Sequence, residues 1–124
     1  MQARTYRRIE HFDGAVRQLR AYFDRDLKEF DLPLAPAGSD FQKSVWAQLL
    51  LIGYGDTASY GEIAKRLGRT NAASRAVGLA NGSNPIPIVI PCHRVIGADG
   101  TLTGYAGGIE RKQTLLELEQ DALF

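Results

Sequence analysis

The stretch PIPIVIPCHRVIG, residues 85–97, sets the chain's single cysteine, Cys92, between a proline and the pair His93–Arg94. A free cysteine often behaves as a small buried hydrophobe, and an apolar run is where it packs. The neighbouring histidine opens a second use. Imidazole can deprotonate a thiol, whose ordinary pKa is about 8.5, when a third group, usually a carboxylate, orients the ring. Adjacent side chains on an extended strand point to opposite faces. Direct contact between Cys92 and His93 therefore needs the chain to turn there, and a water-bridged pair is the easier geometry. The last segment offers Glu110, Glu117 and Glu119 as the orienting carboxylate, and the residues alone leave that choice open. One cysteine forms no internal disulfide, and with only His11 and His93 beside it no four-ligand metal site is expected.

Positioning these groups requires a folded core. A length of 124 residues with 44% hydrophobic and 23% charged side chains is the composition of one ordinary globular domain. The first residues, MQARTYRRIE, lack the apolar centre of a secretory signal. No apolar stretch approaches the roughly 18 residues that suggest a membrane span. The expectation is a cytoplasmic protein, or a nuclear one in a eukaryote, without a membrane partner. The net charge of +1 says little, but between Gly61 and Arg94 five basic residues (Lys65, Arg66, Arg69, Arg75, Arg94) face one acid, Glu62. That excess suits contact with phosphates or a solvated surface equally.

Along the chain, Phe12, Val16, Leu19, Phe23, Leu27 and Phe30 recur at three- and four-residue spacings and predict an amphipathic helix over residues 11–30, with Asp13 as N-cap. The proline-bearing DLPLAPAGS reads as a linker. Ser39 with Gln42 has capping-box spacing, and Phe41, Val45, Trp46, Leu49, Leu50 and Ile52 give the next helix an apolar face that GYG ends. Ser59 and Glu62 repeat the capping box before a short helix with Ile63 and Leu67 on one face, closed by Gly68. NAASRAVGLANG predicts a second short helix, N-capped by Thr70 or Asn71 and ending near Gly82. Two short helices joined by a tight turn have the helix-turn-helix pattern, the second being the recognition helix. Its surface is small (Ala72, Ala73, Ser74, Ala76, Gly78, Ala80) around the single cation Arg75. Small side chains serve close approach to another surface or tight packing against neighbouring helices. The run from Asn81 to Ile96 is expected to be extended, GADGTLTGYAGG to form a turn and β-wing, and IERKQTLLELEQDALF a final helix with Leu115, Leu118 and Ala122 inward. The fold class expected is α+β, mainly helical and winged-helix-like, with residues 1–38 as an N-terminal helical piece and residues 39–124 as the domain proper.

PCHRVIG, preceded by SRAVGLANGSNPIPIVI and followed by GYAGGIERKQTLLELE, resembles the active-site region of the O6-alkylguanine-DNA alkyltransferases, the methylated-DNA–protein-cysteine methyltransferases. The resemblance runs from about Phe41 to Glu119 and extends more weakly into AVRQLRAYFDRDLKEFDLPL, which is similar to the end of the small N-terminal domain that family members usually carry. It implies that nearly all of that domain is absent here. It further implies an alkyl-acceptor protein that works once and without a cofactor or metal, on double-stranded DNA containing O6-alkylguanine, entered from the minor groove with the damaged base flipped out.

By the same resemblance Cys92 is the acceptor, His93 its base through water, Glu119 the group that orients His93, and Tyr60 the proton donor to the leaving base. Arg75 fills the gap left in the stack, and Ala73, Ser74, Tyr60 and Arg94 join it at the DNA. Asn84 ties the recognition helix to the active-site turn. Tyr105, Gly107, the backbone of Val95 and Ala106, and Pro87 border the base pocket. Two other readings are open: a module that binds alkylated bases without repairing them, in which relatives replace the acceptor cysteine, and a winged-helix regulator with a structural cysteine. Self-association through helix 11–30 is expected if its apolar stripe is left uncovered.

Overall fold

A computed structural model describes residues 14–102, 105 and 107–121. The chain forms two compact units that divide after Leu34.

In the first unit the helix, α1, covers residues 14–23, shorter than the expected span of 11–30. Phe12 and the proposed cap Asp13 lie outside the described residues. The end is local: Arg25 takes a left-handed φ of 64°, and the amides of Arg25 and Asp26 return to the carbonyls of Tyr22 (3.0 Å) and Ala21 (2.8 Å). This is the paired closure that ends helices at a left-handed residue. Leu27 and Phe30 therefore belong to the returning chain. That chain is held by Gln18, whose side chain donates to Asp31 O (2.9 Å) and accepts from Asp31 N (2.8 Å). Phe30 and Phe23 pack on the Tyr22 ring at centroid distances of 5.5 and 5.3 Å. Tyr22 is fully buried, while Val16 and Phe23 of the predicted stripe are 44% and 47% exposed.

The second unit opens with α2, Asp40–Leu49, under the expected capping box: Ser39 Oγ accepts from Gln42 N (3.1 Å), and Gln42 Oε1 accepts from Ser39 N (2.9 Å). Val45, Trp46 and Leu49 are buried, and the Trp46 indole donates to Ala80 O at 2.9 Å. The helix stops before the expected GYG. Leu51 N and Ile52 N bond three residues back, to Gln48 O and Leu49 O. This tightening breaks the 3.6-residue period, so Leu50 and Leu51 turn outward while Ile52 stays buried.

Strand β1, Ala58–Ser59, leads into α3, Tyr60–Arg66, whose Ser59–Glu62 capping box is present. Gly68 closes it at φ +73°, where a Cβ would be strained. A 3-10 turn, Asn71–Ala73, enters α4, Ser74–Gly82. Neither Thr70 nor Asn71 caps it as expected: Thr70 makes no side-chain cap bond, and Ser74 Oγ bonds instead to Asn71 O at 2.7 Å and Oδ1 at 3.1 Å. On α4, Val77, Ala80 and Asn81 face the core, and Arg75, Ala76 and Leu79 face out.

The segment before the cysteine departs most from expectation. Residues 84–91 are turns and bends with a single bridge, Pro87 to Ile90, and Ile88 has φ 76°. Prolines 85, 87 and 91 lack the amide that a strand ladder needs, and the chain bonds to itself instead, Ile90 N to Ile86 O at 3.0 Å. Strand β2 is only Val95–Ile96, parallel to β1 with Ala58 opposite Val95. The Asp-Gly turn follows, with Gly97 N bonded to Thr101 O at 2.9 Å. Residues 103, 104 and 106 lie outside the described residues, and among the described residues no strand of a β-wing follows Ile96. Helix α5, Ile109–Asp121, buries Leu115 and half-buries Leu118; Ala122 lies outside the described residues. The arrangement is mainly helical α+β with one two-stranded sheet. No helix among the described residues is long and apolar enough to cross a membrane.

Candidate active site

Cys92 sits on a 3-10 turn, Cys92–Arg94, entered by Cys92 N bonding to Ile90 O at 2.8 Å and closed by Arg94 N bonding to Pro91 O at 3.0 Å. The turn lets three successive side chains serve one place, which a strand cannot do. All three are buried. His93 Nε2 bonds to Glu119 Oε2 on α5 at 2.8 Å. Of the three glutamates left open by the sequence, Glu119 alone is buried, whereas Glu110 and Glu117 are exposed. With the Glu119 carboxylate as acceptor, Nε2 is the donor, and Nδ1 is the ring nitrogen that faces away from Glu119. Nδ1 is buried and has no hydrogen-bond partner among the described residues.

Burial pushes the Cys92 thiol above its ordinary pKa, and the Asn84 side chain and the positive charge of Lys112 only partly oppose this. At neutral pH the sulfur is therefore a thiol that needs a base to react. Asn84 also ties the turn together, donating to Ile90 O at 2.7 Å and accepting from Ile86 N at 2.9 Å. A second amide, Asn81 on α4, donates to Cys92 O at 3.2 Å. Tyr105 is half-buried, and burial together with the charge of an ionised Cys92 pushes its hydroxyl up to about 12. Gly107 allows that placement, since a Cβ there would lie 2.7 Å from the Tyr105 ring. Ala106 lies outside the described residues. Pro87 is exposed, and Val95 is buried with its carbonyl accepting from Lys112 Nζ.

Tyr60 opens α3, with its ring against Gly78 of α4 and 5.8 Å from Lys112 Nζ. Arg75 is exposed on α4, Ala73 and Ser74 are half-buried before and beside it, and the Ser74 hydroxyl is engaged by Asn71. Arg94 corrects the sequence reading. Expected at the DNA, it is 7% exposed and turned inward to Glu119 and to Ile52 O. A buried carboxylate within reach of a guanidinium fork holds it more strongly than solvent does. The exposed basic patch is thus Lys65, Arg66, Arg69 and Arg75.

Sequence reasoning missed Lys112 and Asn81, both fully or nearly fully buried. A signal existed for Lys112: it stands three and seven residues before Leu115 and Glu119, on the one inward face of α5. Burial lowers its pKa, opposed by the negative charge of an ionised Cys92.

Residues 40–121 match the model of the 6-O-methylguanine DNA methyltransferase, DNA binding domain, family. This chain belongs to that family. The methylated-DNA–protein-cysteine methyltransferase of Mycobacterium tuberculosis is 64% identical over 109 residues, 88% of this chain and 66% of that protein. The one from Methanosarcina acetivorans is 62% identical over 110 residues, 89% of this chain and 70% of that protein. The crystal structure of M. tuberculosis OGT in complex with DNA matches with a TM-score of 0.87 and 62% identity, covering 90% of this chain and 68% of that one. The chain thus spans just under two thirds of the length of the mycobacterial relatives, and its fold is the winged-helix-like fold of the alkyltransferases.

Proposed function

We propose that the chain repairs double-stranded DNA by moving an alkyl group from O6-alkylguanine to Cys92, once per molecule. The observation that carries this reading is the buried thiol on one turn with a histidine fixed by Glu119 at 2.8 Å. The thiol proton passes through water to His93 Nδ1. The sulfur electron pair forms the S–C bond as the C–O6 bond breaks, and that bond's electrons return to guanine, which takes a proton from Tyr60. Tyr60 regains a proton from solvent and His93 releases one, so the count closes. The thioether has no route back, and the protein is consumed.

A base inside a duplex cannot present its O6 substituent to in-line attack, so it must leave the stack, at a cost of a few kcal/mol. Arg75, exposed on α4 just after Ala73 and Ser74, fills the gap from the minor groove. Tyr105, Gly107, Val95 and Pro87 border the extruded base. Asn84 holds the acceptor turn, and the division after Leu34 falls within the expected linker, DLPLAPAGS, that precedes the proposed alkyltransferase domain, residues 39–124. A free thiol that must stay reduced suits the cytoplasm, or the nucleus in a eukaryote. Cys92 argues against a module that only binds alkylated bases, and the His93–Glu119 pair against a regulator with a structural cysteine.

Incubation with duplex DNA labelled in the methyl of O6-methylguanine tests the reading. Label on the protein is expected to saturate at one methyl per chain with guanine restored. Continued turnover, or no transfer, contradicts it.

A further inference from the structure

Arg94 engages more than orientation of a histidine demands. Its Nε donates to Glu119 Oε1 and its Nη2 to Glu119 Oε2, both at 2.9 Å, while Nη1 donates to Ile52 O at 2.7 Å. The same Oε2 accepts from His93 at 2.8 Å. One hydrogen bond would fix the ring. A carboxylate buried beside imidazole with no countercharge does something further: by Coulomb attraction it favours the imidazolium form, which cannot accept the thiol proton. The guanidinium cancels that charge where it arises, leaving the hydrogen bond to orient the ring.

We propose that Arg94 is a positioning residue that, by clamping and neutralising Glu119, keeps His93 in the proton-accepting form that Cys92 requires. This rests on the reading of His93 and Glu119 as the proton relay. When the thiol proton reaches His93, Glu119 and Arg94 keep their charges, and only the ring and the sulfur change. Among the described residues, the other ionisable groups about the relay include Cys92 on the same turn, Lys112 on α5, Tyr60 and Tyr105, and Tyr54, whose ring lies 5.7 Å from the Arg94 guanidinium. The carbonyl of Ile52, in the turn after α2, and the amide of Asn81 on α4 are uncharged. None of these replaces a cation bonded to both Glu119 oxygens.

The test is the rate of alkylation by free O6-benzylguanine, which needs no DNA, across pH for the wild type, Arg94→Met and Arg94→Lys. Arg94→Met is expected to move the acid limb of the profile up by about one to three pH units, so that the rate drops about tenfold or more at neutral pH and recovers at alkaline pH. Arg94→Lys keeps the charge and the limb, with a lower plateau because one ammonium cannot span both oxygens. A uniform loss in both variants with the limb unmoved overturns the proposal. If Arg94→Met does not fold, the wild type decides by NMR. The chain has two histidines, so the His93 ring signal is identified by its loss in His93→Gln. A neutral ring through neutral pH supports the proposal, and an imidazolium overturns it. Failure of the relay itself is separate: it is read from an undiminished rate in His93→Ala.

Discussion

At the scale of the residue, reactivity rests on a conflict between burial and ionisation. The Cys92 thiol is pushed up by desolvation, so at neutral pH its thiolate fraction depends on a base. His93→Ala or Glu119→Gln is expected to slow alkylation by about tenfold or more at neutral pH. Thiolate grows as pH rises toward the thiol's raised value, so an alkaline shift recovers part of that loss, while DNA affinity changes little. Rate–pH profiles with free O6-benzylguanine check this. An unchanged, pH-independent rate in either variant means that another group activates the sulfur. The proposed site was partly legible in the sequence because Cys92 and His93 are neighbours and the motif around them is distinctive. The inward turn of Arg94 was not, since an arginine beside the Cys–His pair reads as surface charge until the carboxylate that holds it is placed. Lys112 was hidden likewise, by a type that ordinarily faces water.

At the scale of the element, the two capping boxes were legible because three-residue spacing fixes both partners before any tertiary contact forms. The proline-rich run was misread as extended because β-branched residues signal strands. What decided its path was the loss of three donors together with tethering by the Asn84 side chain. The end of α1 at residue 23 was hidden because an arginine, not a glycine, adopts the left-handed closing position. The recognition helix makes its own prediction. Arg75 is exposed and far from the proton relay in role, so Arg75→Ala is expected to reduce transfer from duplex DNA by at least about tenfold, as a gap-filling contact worth a few kcal/mol implies. Transfer from free O6-benzylguanine should stay near wild type. Equal losses on the two substrates would remove the gap-filling role.

At the scale of the whole molecule, the units on either side of Leu34 pose different questions. In the first, Val16 and Phe23 leave apolar surface on α1. We expect concentration-dependent self-association through this face, reversed by Phe23→Glu with single-turnover transfer intact. Light scattering over a dilution series reads it, and a wild-type chain that is monomeric at every concentration rules it out. The second unit holds the buried turn, the His93–Glu119 pair and the exposed face of α4. Its claim is that one sulfur ends the reaction. Peptide mass mapping after exposure to duplex DNA containing O6-methylguanine tests this most directly. The account predicts one added methyl, on the peptide containing Cys92, at no more than one per chain, and none in Cys92→Ala although it still binds the duplex. A methyl on any other residue, or transfer that persists in Cys92→Ala, would contradict it.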